Sequence, residues 1–202
     1  MEFTAVVRKR RAIRRYSQEP VDPEAFERIL DAGTRGPSAG YSQGQSFIAV
    51  TSEEMKQKLD AEWTRQMIEI GDAIDPAGGN MFYNAPNIII ACTNEQEYHR
   101  RYQQPDKLTQ NGLEITWPAP YWYVDSGCGI MLLLLAAVNE GLAACLIGVP
   151  FHVQPWKDIL GMPSEVMPVG TVLVGHRAED EVRRDLSHRR KPYTDYIHRD
   201  RW

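Results

Sequence analysis

Apolar positions along the chain change period several times, and each change marks an element. Phe3, Val6, Val7 and Ile13 fall near helical spacing and predict a first helix. Arg10 and Arg14 extend that spacing, so the helix is expected to end in cations. In Pro20-Val21-Asp22-Pro23-Glu24, Asp22 is placed as an N-cap and Pro23 at the first helical position. Ala25, Phe26, Ile29, Leu30 and Ala32 give this second helix its inner face, and Gly33 and Gly36-Pro37 stop it. Phe47 to Thr51 predicts a short buried strand, and Ser52 caps a charged helix running toward Ile70. Gly71 to Asn80 reads as a loop, and Asn87 to Cys92 as a second central strand. Thr93 to Pro120 carries charges, aromatics and prolines without clear periodicity, and is expected to be a long irregular insertion. Asp125 to Glu140 is apolar nearly all round, as a buried helix is, and Gly141 ends it. Leu142 to Val149 is a third apolar segment, Val153 to Leu160 a short helix, and Val169 to Gly175 another central strand. The tail from Glu179 to Trp202 shows no core face.

Alternating strands and helices favour an α+β or α/β layered domain. With 202 residues, 43% of them hydrophobic, the chain suits one domain over 1–202, with a possible lid at 93–120 and a C-terminal arm at 179–202. The start MEFTAVV shows no charged leader followed by an apolar stretch, which argues against a secretory signal. The longest apolar run, Ile130 to Val138, is about half of the ~20 residues that a membrane span needs. Cys92, Cys128 and Cys145 stand far apart in apolar contexts, as buried reduced thiols do. These features predict a soluble, cytoplasmic protein with no membrane partner.

Charge changes the picture. Six of the eight residues from Arg8 to Arg15 are Arg or Lys, in a chain of formal net charge -4. A slightly acidic whole weighs against nucleic acid as the partner. The local excess fits either a solvated helix end or the binding of a small phosphate. Arg189-Arg190-Lys191-Pro192 is a second cluster that would converge on the same dianion, since the guanidinium fork pairs with phosphate oxygens. Gly36-Pro37-Ser38-Ala39-Gly40-Tyr41-Ser42-Gln43-Gly44-Gln45 is either an ordinary polar turn or a loop that hydrogen-bonds the edge of a planar ligand. His99, His152, His176, His188 and His198 share no metal-ligand spacing, and no metal is expected. Trp117, Tyr121, Trp122 and Tyr123 either pack a loop or form a lid whose rings cover a ligand.

Several of these pieces, in order, resemble the nitroreductase-like family of FMN-binding flavoproteins. Arg10-Arg11-Ala12-Ile13-Arg14 is similar to the family's N-terminal Arg-Arg-Ser-x-Arg. Gly36 to Gly44 is similar to its Ala-Pro-Ser loop, Ala85-Pro86 to its Ala-Pro before a central strand, and Asp125-Ser126-Gly127 to its Asp-x-Gly opening a buried helix. Gly141-Leu142 and Arg190-Lys191-Pro192 complete the series. The resemblance implies a central mixed sheet flanked by helices, in an intertwined homodimer with FMN at the subunit interface. It implies that Arg10, Arg11, Ala12 and Arg14, with Arg190 from the tail, lie at the FMN phosphate and ribityl chain. It implies that Pro37, Ser38, Ala39, Gly40 and Gln43 approach the ring, often from the partner subunit, and that Leu146, Ile147 and Gly148 run along the flavin. Tyr41, Trp117, Tyr121 and Trp122 are the candidate substrate-pocket residues.

The chain departs from the family pattern at Ala12, where Ser is usual, at Tyr41, where Asn is common, and at Gly44-Gln45 in place of Pro-Trp. Recognition of the ring edge must therefore be rebuilt locally. The activity implied is reduction of a small, planar, electron-poor acceptor (a nitroaromatic, quinone or enone) with NADH or NADPH as co-substrate. No side chain is required as nucleophile, because the flavin carries the chemistry. No Gly-x-Gly-x-x-Gly follows a predicted strand, so donor and acceptor are expected to share one pocket in ping-pong fashion. Flavin fragmentation, dehalogenation or dehydrogenation within the same superfamily, a flavin carrier or sensor without turnover, and a deazaflavin donor remain the alternatives.

Overall fold

A strand with no polar face organises the domain. The computed structural model describes residues 1–70, 84–181 and 186–202. In it, β2 (Asn87–Thr93) is buried at every position. Its neighbours are β1 (Gln45–Val50) and β4 (Met167–Gly175), and β3 (Ala143–Ile147) lies beyond β4. The order is β1-β2-β4-β3, and all of these strands pair antiparallel. The sheet expected to be mixed thus has, among the described residues, a single parallel element, an isolated bridge between Ala12 and Ala144.

Period-two alternation along β2 and β4 feeds two cores. Ile89, Ala91, Val172 and Val174 face α2 (Pro23–Gly33) and α5 (Tyr121–Asn139), where they meet Phe26, Ile29, Ile130, Leu133 and Ala137. Ile88, Ile90, Cys92 and Leu173 face the other way, onto α3 (Glu53–Glu69) and α6 (Gln154–Leu160), through Leu59 and Trp156. The buried Lys56 ties α3 to the start of β2, with its ammonium donating to the Pro86 carbonyl at 3.2 Å.

The start signals act as expected. The Asp22 carboxylate accepts from the Glu24 amide at 3.2 Å ahead of Pro23, and the Ser52 hydroxyl accepts from the Met55 amide at 3.4 Å. α5 begins at Tyr121, earlier than Asp125, and its 19 residues are long and apolar enough to cross a membrane. Its buried side nevertheless supplies one of the two cores.

Three expectations are corrected or bounded. The first helix, α1, spans Phe3–Lys9 only, and Arg10 has already left it at φ -55°, ψ 125°. Sheet pairing wins over helical spacing here: the Ile13 amide donates to the Ala144 carbonyl, and the Tyr16 hydroxyl donates to the Ile13 carbonyl at 2.6 Å. The insertion at 93–120 is not irregular throughout, because Asn94 caps a helix, α4 (Glu95–Tyr102). The loop read at Gly71 to Asn80 lies outside the described residues.

A carboxylate latch joins α4 to the chain that follows it. Glu114 accepts from His99 Nδ1 at 2.6 Å, Trp117 Nε1 at 2.6 Å and Gln103 Nε2 at 3.0 Å. Burial alone would raise the Glu114 pKa, but the bonds from Trp117, His99 and Gln103 outweigh it and hold the carboxyl below its usual range. The bond to Glu114 raises the His99 pKa in turn. A raised folded-state pKa gives stability that is complete below the unfolded value of about 6.5 and disappears as pH climbs through the folded value.

Two expectations follow for measurement. Ile89→Ala, at a fully buried position, should cost about 2–5 kcal/mol in denaturant unfolding. Thermal midpoints should fall as pH rises above about 6.5, and His99→Gln should flatten that alkaline decline relative to the parent.

Candidate functional site

Two groups of predicted residues occupy opposite edges of the sheet. At the β3 edge, Ala12 bridges Ala144, so the basic segment runs as an extended chain along the strand. Arg10 and Arg14 flank Ala12 by two residues on either side, and burial pushes the Cys145 thiol pKa up while both arginines pull it back. Among the described residues, Arg10 and Arg14 have no acidic side chain at ion-pair distance, whereas Arg15 pairs with Asp180 at 2.6 Å. Arg11 turns back and donates to the Arg8 and Arg10 carbonyls at 2.7 and 2.8 Å.

Leu146, Ile147 and Gly148 form the end of the same strand and the chain just after it. Leu146 is exposed and Ile147 half-buried. The following turn is pinned to α3 by Gln66, which accepts from the His152 amide and donates to the His152 carbonyl, each at 2.8 Å. The structure therefore brings Arg10, Arg11, Ala12 and Arg14 to one edge with Leu146, Ile147 and Gly148.

The Pro37–Gln43 loop leads into β1 at the other edge. Successive steps from β1 through β2, β4 and β3 to Ala12, at about 4.8 Å each, put roughly 19 Å between the two groups. The loop holds an unusual backbone: Gly40 has φ 62°, Tyr41 59° and Gln43 55°. Left-handed Tyr41 and Gln43 cost energy that their surroundings must offset. The Ser38 hydroxyl accepts from the Gln43 amide at 2.8 Å, and the Asp125 carboxylate accepts from the Ala39 amide at 2.8 Å. Beside the loop lies an open cavity of about 600 Å³, lined among others by Ser38, Tyr41, Gln43, Gln45 and Phe47. The buried side-chain amide oxygen of Gln45, packed against Gly129, has no hydrogen-bond partner among the described residues.

The aromatic candidates divide. Tyr41 is 76% exposed and Tyr121 is 37% exposed. Trp122 is 8% exposed, with its ring against Tyr98, His99 and Trp117, so it packs the fold instead of facing open space. Trp117 is half-buried, edge-on to Tyr102 at 4.5 Å and tied to Glu114. Arg190 belongs to a tail whose residues from Leu186 to Trp202 are all exposed.

Sequence reasoning missed the residues that support the loop. Tyr98 donates to Asp125 at 2.9 Å, Arg101 donates to the Gly40 carbonyl at 3.0 Å, and the Tyr102 ring lies under Gly40. Their spacing of i, i+3, i+4 behind an Asn94 cap was the available signal.

Known proteins resemble this chain in sequence and in fold. The family model described as the nitroreductase family matches residues 7–176. A protein of Archaeoglobus fulgidus, provisionally named an NADH dehydrogenase/NAD(P)H nitroreductase, is 26% identical over 100% of this chain and 99% of its own. An FMN reductase [NAD(P)H] of Bacillus subtilis is 27% identical over 84% of this chain and 63% of its own. An FMN-dependent nitroreductase of Clostridium difficile R20291 shares the fold with TM-score 0.70 at 20% identity, covering 98% of this chain and 99% of its own. With the family model matching most of its length, the chain belongs to the nitroreductase family.

Proposed function

We propose that the protein is an FMN-dependent oxidoreductase that uses NADH or NADPH to reduce a small, planar, electron-poor acceptor, and that it works as a cytoplasmic homodimer. The observation that carries this reading is the pair Arg10 and Arg14 beside β3, without acidic partners among the described residues, in a chain of this family. Two planar guanidinium groups on an extended backbone suit a phosphate dianion, with each charge-assisted bond contributing about 1.5–3 kcal/mol. FMN held by these residues would supply the hydride-transfer chemistry between the reduced nicotinamide and the acceptor. The protein's own residues bind, orient and shield. Arg10, Arg11 and Arg14 hold the phosphate, Leu146 to Gly148 flank the cofactor, and Pro37 to Gln43 face the ring edge. Tyr41 and Tyr121 offer open aromatic faces to a planar acceptor.

A gap of roughly 19 Å between these groups favours a site completed by a second copy, with the arginines of one protomer facing the loop of its partner. Three surfaces support the dimer. α5 presents a second apolar stripe through exposed Val124 and Met131, beside exposed Phe3 and Val7 of α1. Among the described residues, β1 pairs on one side only. The exposed tail, with Tyr193, Tyr196, Ile197 and Trp202, has no face on its own chain, and a partner would give Arg190 a route to the phosphate.

Purified protein should be yellow and should bleach under NADH or NADPH without oxygen, and a colourless preparation that takes up no FMN would refute the reading. Arg14→Ala should weaken FMN retention by about tenfold or more while Arg8→Ala leaves it near the parent, measured as flavin per protomer after dialysis. Removal of the tail after Leu186 should cost both dimer and flavin in sizing chromatography, and a yellow dimeric truncation would overturn the role given to the arm. Parallel double-reciprocal plots are expected, and intersecting ones would reject the shared pocket.

A further inference from the structure

The Ser38–Gly44 loop is strained, and its supports come from one direction. From α4 and its cap, Asn94 donates its amide to the Gly44 carbonyl at 2.7 Å. One turn on, Tyr98 donates its hydroxyl to Asp125, whose Oδ2 also accepts from the Ala39 amide. Arg101 donates Nε to the Gly40 carbonyl, and its guanidinium is squared by two bonds to Asp106, at 2.9 and 2.7 Å. The Tyr102 ring closes the space beneath Gly40 so tightly that a Cβ there would sit 2.5 Å from it. Positions 94, 98, 101 and 102 fall on one side of a helix. Asp125 meets them from the core helix, with 5% exposure.

We infer that this face of α4, together with Asp125, is a positioning device that fixes loop Ser38–Gly44 in the conformation presented to the reacting ring. The inference rests on the function proposed above; it gives a role to Tyr98 and Arg101, which the family pattern does not contain, and makes Asp125, which that pattern has only as opening a buried helix, their partner at the loop. The three act through the backbone of Ala39 and Gly40. Left-handed Tyr41 between Gly40 and Gln43 is the part of the loop that must not relax, because a shift of about 1 Å at a reacting centre can cost about a hundredfold in rate. A rigid support also explains why the strained backbone persists without a glycine at either position.

Amide exchange at Ala39 and Gln43 tests this on the full chain as purified, alongside steady-state kinetics and the visible circular dichroism of the bound flavin. Tyr98→Phe and Arg101→Ala should each speed exchange by about tenfold and lower kcat by about tenfold, with KM for the nicotinamide within about twofold of the parent. Arg101→Lys, which keeps a donor for the Gly40 carbonyl, should recover most of the loss. Arg100→Ala, whose partner is Glu97 on the outer side of α4, should behave as the parent. Faster exchange with unchanged kcat and flavin dichroism would reduce the network to mere stability and overturn the inference, as would exchange that does not move. If Tyr98→Phe fails to fold, the Arg101 pair decides the matter. A colourless parent would remove the flavin reading alone, and exchange at the two amides would then decide whether α4 sets the loop.

Discussion

Burial of β2 on both faces is the constraint from which the architecture follows. A strand that is buried at every position, and apolar from Ile88 to Cys92, cannot leave either side to water, so it demands a helical layer above and another below. α2 and α5 cover one side, α3 and α6 the other. The sheet between them has chemistry only at its rims. On one rim lies a chain of cations along β3; on the other, a tightly bent loop ahead of β1. In the function proposed above neither rim is a whole site, and that is its physical motive for association.

The latch around Glu114 and the clamp around Asp125 show how polar groups work near such a core. Each carboxylate is screened from water and each is satisfied by several donors, so the desolvation cost is met locally. The two are linked through α4, whose His99 and C-cap residue Gln103 reach Glu114 while Tyr98 reaches Asp125. The aromatic rings of Tyr98, Tyr102, Trp117 and Trp122 fill the space between them. A segment that looks patternless along the chain is therefore ordered by carboxylates and rings that meet only in three dimensions.

What was legible in the sequence was local. Asp22-Pro23 and Ser52 announced their helices because a cap needs only its own turn, and Asn87 to Cys92 announced a central strand because no polar residue interrupts it until Thr93. Arg10 and Arg14 misled because their spacing fits a helix, while the competing bond from Ile13 to Ala144 spans most of the chain. Trp122 looked available because its burial depends on Tyr98 and His99, distant in sequence. The candidate arginines and the candidate loop were both legible as residues. Their separation across the sheet was not, because strand order cannot be read from periodicity.

Gly44 carries a consequence for descent. A side chain there would meet Tyr98 at 2.5 Å and the Asn94 carbonyl at 2.6 Å, and the second of these is backbone. Lineages can trim the tyrosine but cannot move the carbonyl without disturbing the cap. Positions 44, 94 and 98 should therefore be inherited as a set, and homologues that carry a larger residue at 44 should differ at 98 and in how the segment after β2 begins.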